Sequence, residues 1–122
     1  GIEVIKKYDD LPKIICHPDD LNQVWTNLIH NALQAMNYQG ILTIETQQQE
    51  ENVAVIFTDN GKGISPEVLP KIFQPFFTTK PAGEGSGLGL DIVRKIIDKH
   101  EGKISVESMP GETKFTVLLP IH

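Results

Sequence analysis

The sequence has little cysteine, no excess of positive charge and no long apolar run. Cys16 is the one cysteine among 122 residues, so no disulfide can form within the chain, as is typical of reducing compartments. The 16 acidic residues outnumber the 11 basic ones, for a formal net charge of −5, which argues against a nucleic-acid partner. No apolar run approaches the roughly 20 residues that cross a membrane, and no signal peptide is visible. We therefore expect a cytoplasmic domain without direct membrane contact.

Length and composition favour one globular domain over residues 1–122. The hydrophobic content of 39% and the charged content of 22% are typical of a folded domain. Because the chain is acidic, a polyanionic ligand would have to be held by local backbone N–H groups, a few cations or a metal ion.

Hydrophobic periodicity predicts two long helices, at residues 19–37 and 87–100. A short helix is expected over residues 65–73, where Ser65 and Pro66 form a start signal. Strands are predicted over residues 2–8, 13–16, 41–47, 53–58, 103–108 and 113–119. The hairpins among them predict an α+β fold, in which a mostly antiparallel sheet carries the helices on one face.

Two glycine-rich stretches, DNGKGI at residues 59–64 and GEGSGLGL at residues 83–90, suggest a pocket for a phosphorylated ligand. Glycines let the backbone approach a phosphate, and the N–H groups at a helix start favour an anion. The second stretch matches neither the dinucleotide fingerprint nor a Walker P-loop. For the second stretch taken alone, a flexible hinge that ends in a helix is the alternative, and DNG alone is typical of an ordinary turn.

Polar residues form a stripe on the first long helix. Asn27, Asn31 and Gln34 follow helical spacing, and the asparagine oxygens could ligate a hard cation such as Mg²⁺. A solvated polar face is the alternative. Further along, Lys80 follows FFTT within residues 74–86, which read as a mobile loop, and it could reach a terminal phosphate.

Together these segments resemble the ATP-binding catalytic domain of sensor histidine kinases, whose superfamily includes gyrase-type topoisomerases and the heat-shock chaperone ATPase. NLIHNALQAM at residues 27–36 resembles the N box, and DNGKGI at residues 59–64 the first glycine box. FQPFFTTK at residues 73–80 resembles the F box, and GEGSGLGL at residues 83–90 the second glycine box. PGETKFTVLLP at residues 110–120 resembles the closing strand segment.

The resemblance implies the Bergerat fold, a two-layer α/β sandwich that binds ATP between its helices under a lid, here residues 74–86. Asp59 would accept a hydrogen bond from the adenine amino group, and Thr113 would assist through water. Asn31 would bind Mg²⁺ with help from Asn27, and Asn31 and Lys80 would serve catalysis.

The implied nucleotide-binding residues come from all four boxes and the closing strand. They are Asn27, Asn31, Gln34, Ala35, Asp59, Gly61, Gly63, Ile64, Phe73, Thr78, Thr79, Lys80, Gly85, Ser86, Gly87, Leu88, Gly89 and Thr113. Gln34 stands where many relatives carry a basic residue. It fits the nitrogen-regulator-like branch better, and it leaves a phosphate contact from this position open.

The resemblance also bears on the reaction. Hydrolysing relatives carry a glutamate general base where this chain has Asn27, so the implied activity is that of a protein histidine kinase in two-component signal transduction. The acceptor histidine would lie on a separate helical dimerisation domain of the parent protein, which would also engage a response regulator and could be membrane-anchored. None of the four histidines lies in an acceptor motif. A related ATPase and a non-catalytic nucleotide-binding module are the alternatives.

Overall fold

A mixed five-stranded sheet and two α-helices form the part of the chain that the computed structural model describes, residues 1–9, 16–74 and 89–121. The elements are β1 (Ile2–Tyr8), α1 (Pro18–Ala35), β2 (Gly40–Gln49), β3 (Asn52–Asp59), a 3₁₀ turn (Leu69–Lys71), α2 (Gly89–Lys99), β4 (Lys103–Met109) and β5 (Glu112–Pro120). Neither α-helix in these ranges is both long enough and apolar enough to cross a membrane.

The sheet has the strand order β1-β2-β3-β5-β4. β1 pairs with β2 in parallel, whereas the other three pairs are antiparallel. This arrangement confirms the predicted α+β, mostly antiparallel sheet. The predicted strand at residues 13–16 lies outside the described residues except for Cys16, which is not in a strand.

Both helices cover the same face of the sheet, and the core lies between the two layers. α1 buries Leu21, Val24, Leu28 and Ala32, spaced so that they share one side of the helix. These residues join Val93 of α2 and the buried side chains of the strands in one hydrophobic cluster. Each large side chain buried in this way stabilises the fold by about 1.5–3 kcal/mol.

The expected short helix over residues 65–73 is wrong in type. The carbonyl of Ser65 accepts the N–H groups of Val68 and Leu69, both at 3.0 Å, and one 3₁₀ turn over Leu69–Lys71 follows. Pro70 lacks the N–H that a continuing helix would need and disfavours the helical conformation of the residue before it. The chain therefore turns twice instead of forming a longer helix.

The two helices are joined at the end of the molecule where α1 begins and α2 ends. The N–H of His17 donates to Nε2 of His100 at 3.0 Å, while Nδ1 of that ring lies 2.8 Å from the carbonyl oxygen of Ile96. Lys99 and Asp20 form an ion pair at 3.2 Å nearby. The candidate site lies at the opposite end, where α1 finishes beside Gly61.

Candidate functional site

A polar row crosses the sheet on its helix-covered face, where the apolar core ends. Asp59 on β3 lies opposite Thr113 on β5, which in turn lies opposite Ser108 on β4. The neighbouring row, one step further into the core, is apolar throughout: Ile44, Phe57, Phe115 and Val106. Asp59 and Thr113 are each only 3% exposed, so both polar side chains are buried next to the apolar core.

The Asp59 carboxyl is the main buried acidic group of this row. Its Oδ1 accepts the N–H of Gly61 at 2.9 Å. Burial raises the pKa of Asp59 above its ordinary value of 3.8, and the hydrogen bond from Gly61 offsets part of that rise. A carboxyl that has lost most of its water is well suited to accept a hydrogen bond from a ligand.

The loop after β3 requires glycine because it runs between two other parts of the chain. A Cβ on Gly61 would lie 2.6 Å from the carbonyl oxygen of Ala35, and that oxygen accepts the N–H of Lys62 at 3.3 Å. Gly63 has a φ of +83°, and a Cβ there would collide with the carbonyl of Met109. The loop therefore fills the space between the end of α1 and the β4–β5 turn.

Asn60 anchors the start of this loop, a role that the sequence motif alone does not reveal. Its Oδ1 accepts the N–H of Ile41 at 2.9 Å, and its own N–H donates to the carbonyl of Ile41 at 3.3 Å. The side chain thus substitutes for the main-chain carbonyl in the β2–β3 ladder. Because the Asn60 side chain supplies this acceptor, the main chain can leave the sheet directly after Asp59.

Ser108 is the second residue that the motifs did not single out. Its Oγ accepts the N–H of Ile64 at 2.7 Å and lies 2.8 Å from Oγ1 of Thr113. Strand register is the sequence signal that points to Ser108, because a tight turn joins β4 to β5 and places Ser108 directly opposite Thr113.

The polar stripe of α1 reaches the same end of the molecule. Asn27, Asn31, Gln34 and Ala35 are all half-buried, and Nδ2 of Asn31 donates to the carbonyl of Asn27 at 2.9 Å. Because Ala35 contacts Gly61, the last turns of α1 lie beside the loop that follows Asp59.

The oxygen donors at the candidate site suit a hard cation such as Mg²⁺. In the described ranges, no cluster of three or more His, Cys, Asp or Glu side chains could hold a metal ion. The oxygen donors that the sequence predicts here are the amides of Asn27 and Asn31. Such a sparse set fits Mg²⁺, which keeps several waters and is held largely by substrate phosphates.

Phe73 is the described residue of the predicted F box that was expected at the site. It is half-buried against the core, and the guanidinium of Arg94 on α2 lies 5.7 Å from its ring centroid. Gly89 is the first residue of α2. The other expected residues lie outside the described part of the chain: Thr78, Thr79, Lys80, Gly85, Ser86, Gly87 and Leu88. The expected lid lies outside it too, apart from Gln74.

The family model described as "Histidine kinase-, DNA gyrase B-, and HSP90-like ATPase" matches residues 16–122. The chain belongs to this family. That membership confirms the resemblance drawn from the four boxes.

The relatives of this chain are longer proteins. The sensor histidine kinase ZraS of Escherichia coli K12 is 43% identical over 115 residues, covering 93% of the chain but 24% of that protein. The sensory histidine kinase/phosphatase NtrB of Vibrio alginolyticus is 39% identical over 134 residues, covering 99% of the chain and 38% of its own length. The chain therefore spans well under half of either relative.

Solved structures of the family share the fold. The catalytic domain of histidine kinase ThkA, in a nucleotide-free form, is 36% identical with a TM-score of 0.86, over 98% of this chain and 78% of that one. Full-length ShkA in complex with AMPPNP is 27% identical with a TM-score of 0.86, over 98% of this chain and 26% of that one.

Proposed function

We propose that this histidine kinase domain binds ATP with Mg²⁺ and donates the γ-phosphate to a histidine on a separate helical dimerisation domain. The observation that carries the proposal is the buried Asp59 carboxyl beside the Gly61–Gly63 backbone. It presents a hydrogen-bond acceptor for the amino group of a flat base such as adenine. The glycines let the loop beside it pack closely against the end of α1 and the β4–β5 turn. The AMPPNP complex of the neighbour ShkA supports a nucleotide in this fold.

Each part of the site has a proposed task. Asp59 accepts a hydrogen bond from the adenine amino group, and Thr113, opposite it in the sheet, orients a water at the same edge of the base. The amide oxygens of Asn31 and Asn27 would hold Mg²⁺, which would offset the charge of the phosphates. Lys80 is proposed to serve catalysis by contacting the terminal phosphate.

The second glycine box supplies the remaining phosphate contacts in this proposal. Gly85, Gly87 and Gly89 would offer N–H groups at the start of α2, and residues 74–86 would cover the nucleotide. A net charge of −5 provides no general attraction for a polyanion, so these local contacts and the metal ion must supply it.

The partner follows from the length of the relatives. ZraS and NtrB are much longer than this chain, and their names describe sensor kinases. We propose that residues 1–122 form one catalytic domain of such a kinase in the cytoplasm. Its parent would supply the phosphoacceptor domain, engage a response regulator and could be anchored in a membrane.

The test combines the chain with the dimerisation domain of its parent protein, γ-labelled ATP and Mg²⁺. We expect acid-labile, base-stable label on that domain, and none on the chain incubated alone. Asn31→Ala should abolish labelling, whereas Asn22→Ala, at an exposed position on the same helix, should not. Failure to label the acceptor despite measurable ATP binding would contradict the kinase proposal.

The alternative activities give different results in the same assay. Steady phosphate release by the chain alone, lost in Asn31→Ala, would indicate a related ATPase. The amide of Asn27 is a poor general base for water, which argues against that activity. ATP binding with neither transfer nor hydrolysis would indicate a nucleotide-binding module.

A further inference from the structure

Ser108 connects three segments at the end of the polar row. Its hydroxyl accepts the N–H of Ile64 at 2.7 Å, lies 2.8 Å from Oγ1 of Thr113, and lies 3.3 Å from the carbonyl of Glu112. Ile64 is 44 residues away in the sequence. One hydroxyl therefore ties the loop that follows β3 to the β4–β5 hairpin.

The hydrogen-bonding capacity of serine makes this connection specific. A hydroxyl has one donor hydrogen and two acceptor lone pairs, and Ile64 N–H occupies one lone pair. The serine can then donate to the Glu112 carbonyl while accepting from Thr113, or it can donate to Thr113. In both arrangements, the orientation of the Thr113 hydroxyl depends on Ser108.

Ser108 lies next to the tight β4–β5 turn. It is half-buried on the helix-covered face of the sheet, and the pairing of Met109 with Glu112 leaves only two residues in the turn. The carbonyl of Met109 also limits the space at Gly63. The β4–β5 hairpin is thus the surface against which the loop at residues 60–64 rests, although β4 contains none of the expected ligand contacts.

We infer that Ser108 is a positioning residue for the adenine end of the site. Its hydroxyl holds the Ile64 main chain and the Thr113 hydroxyl in the relative positions that a base hydrogen-bonded to Asp59 requires. The inference rests on the proposed function, because it assumes that Asp59 and Thr113 contact the base. It adds a residue from the edge strand to the recognition of the nucleotide.

The experiment measures the Kd of Mg-ATP and Mg-ITP for the whole chain by calorimetry. ITP carries an oxygen in place of the adenine amino group. Loss of one hydrogen bond should weaken ATP binding to Ser108→Ala by about threefold to tenfold. ITP, which binds without the contact to Asp59, should be affected less, so the ATP/ITP preference should fall.

A double-mutant cycle with Thr113→Val tests whether Ser108 acts through Thr113. We expect Ser108→Ala to weaken Mg-ATP binding markedly less in the Thr113→Val background than in the native chain, because the partner hydroxyl is already missing. Ser108→Thr, which keeps the hydroxyl, should retain most of the affinity for ATP. Ser105→Ala is the matched control, since Ser105 is an exposed serine on the opposite face of β4.

The outcomes separate this inference from the proposed function. If the native chain does not bind Mg-ATP, the proposed function itself fails. If the native chain binds ATP but Ser108→Ala binds it equally well, only the role of Ser108 is overturned. Equal weakening of ATP and ITP, or effects of Ser108→Ala and Thr113→Val that simply add, would also overturn it. Either result would make Ser108 a general stabilising residue.

Discussion

Oδ1 of Asn60 accepts the N–H of Ile41 at 2.9 Å and so occupies the place of a main-chain carbonyl at the end of the β2–β3 ladder. The same oxygen occupies the space where a Cβ on Gly40 would lie. Because the side chain completes the ladder, the main chain can turn away after Asp59. The DNG sequence is therefore a strand ending, in which each of the three residues has a separate structural task.

Replacing Asn60 tests this strand ending. We expect Asn60→Ala to lower the free energy of unfolding by about 1 kcal/mol, because the N–H of Ile41 loses its acceptor. Urea denaturation monitored by circular dichroism would measure the change. Asn22→Ala, at an exposed position on α1, should stay within about 0.5 kcal/mol of the native chain. Equal effects in the two variants would show that the Asn60–Ile41 contact contributes nothing.

Gly63 and Gly111 form a matched pair. Both have a positive φ, of +83° and +89°, but a Cβ would collide with the Met109 carbonyl only at Gly63, since nothing lies within 4 Å at Gly111. We expect Gly111→Ala to cost about 1–2 kcal/mol from backbone strain alone. Gly63→Ala should cost about 1–3 kcal/mol more, because the hairpin must move. Thermal denaturation of both variants measures the difference, and a cost at Gly63 no larger than at Gly111 would refute the close approach.

The buried Asp59 predicts a pH dependence of stability. Burial raises the pKa of this carboxyl in the folded chain above 3.8. The contribution of Asp59 to stability is therefore fully present below the pKa that it has in the unfolded chain. It is lost as pH rises through the higher pKa of the folded chain. Asp59→Asn cannot ionise, so it avoids this loss of stability at higher pH. The variant keeps an oxygen that can accept the N–H of Gly61. The variant should thus gain in Tm over the native chain as pH rises from about 3.5 to 7, while its affinity for Mg-ATP falls.

The control for Asp59 is another carboxyl replaced in the same way. Glu67 is exposed in the turn before the 3₁₀ helix, so Glu67→Gln should show no comparable rise in the Tm difference with pH. A Tm difference for Asp59→Asn that stays flat or shrinks towards pH 7 would mean that burial of Asp59 does not disfavour its charge.

The interface between the helices and the sheet should be sensitive to loss of volume. Leu28 of α1 is 1% exposed at the centre of the cluster. We expect Leu28→Ala to cost about 2–5 kcal/mol, because transfer energy is lost and a cavity remains. Ile41→Ala, at a side chain 39% exposed, should cost about 1 kcal/mol or less. Urea denaturation of both variants would reveal whether the core is packed as described.

Features carried by contiguous residues could be predicted well. Helix α1 and the strands on either side of residues 50–51 and 110–111 follow from local periodicity and turn residues. The structure has these elements within a few residues of the expected bounds. The family followed from motifs that are themselves contiguous. The helix predicted over residues 65–73 is wrong because Pro70 prevents a helix that starts at Ser65 from continuing.

The sequence by itself determined the class of the fold, the hairpins and the four boxes, because each depends on residues within one short stretch. Only the tertiary structure decided that β1 pairs in parallel with β2, that Asp59 is buried, and that Gly61 meets Ala35. It alone brought Ser108 to Ile64, 44 residues away. These features depend on strand register and on how the helix layer packs. Such long-range contacts result from burying the whole core and cannot be obtained from any single segment.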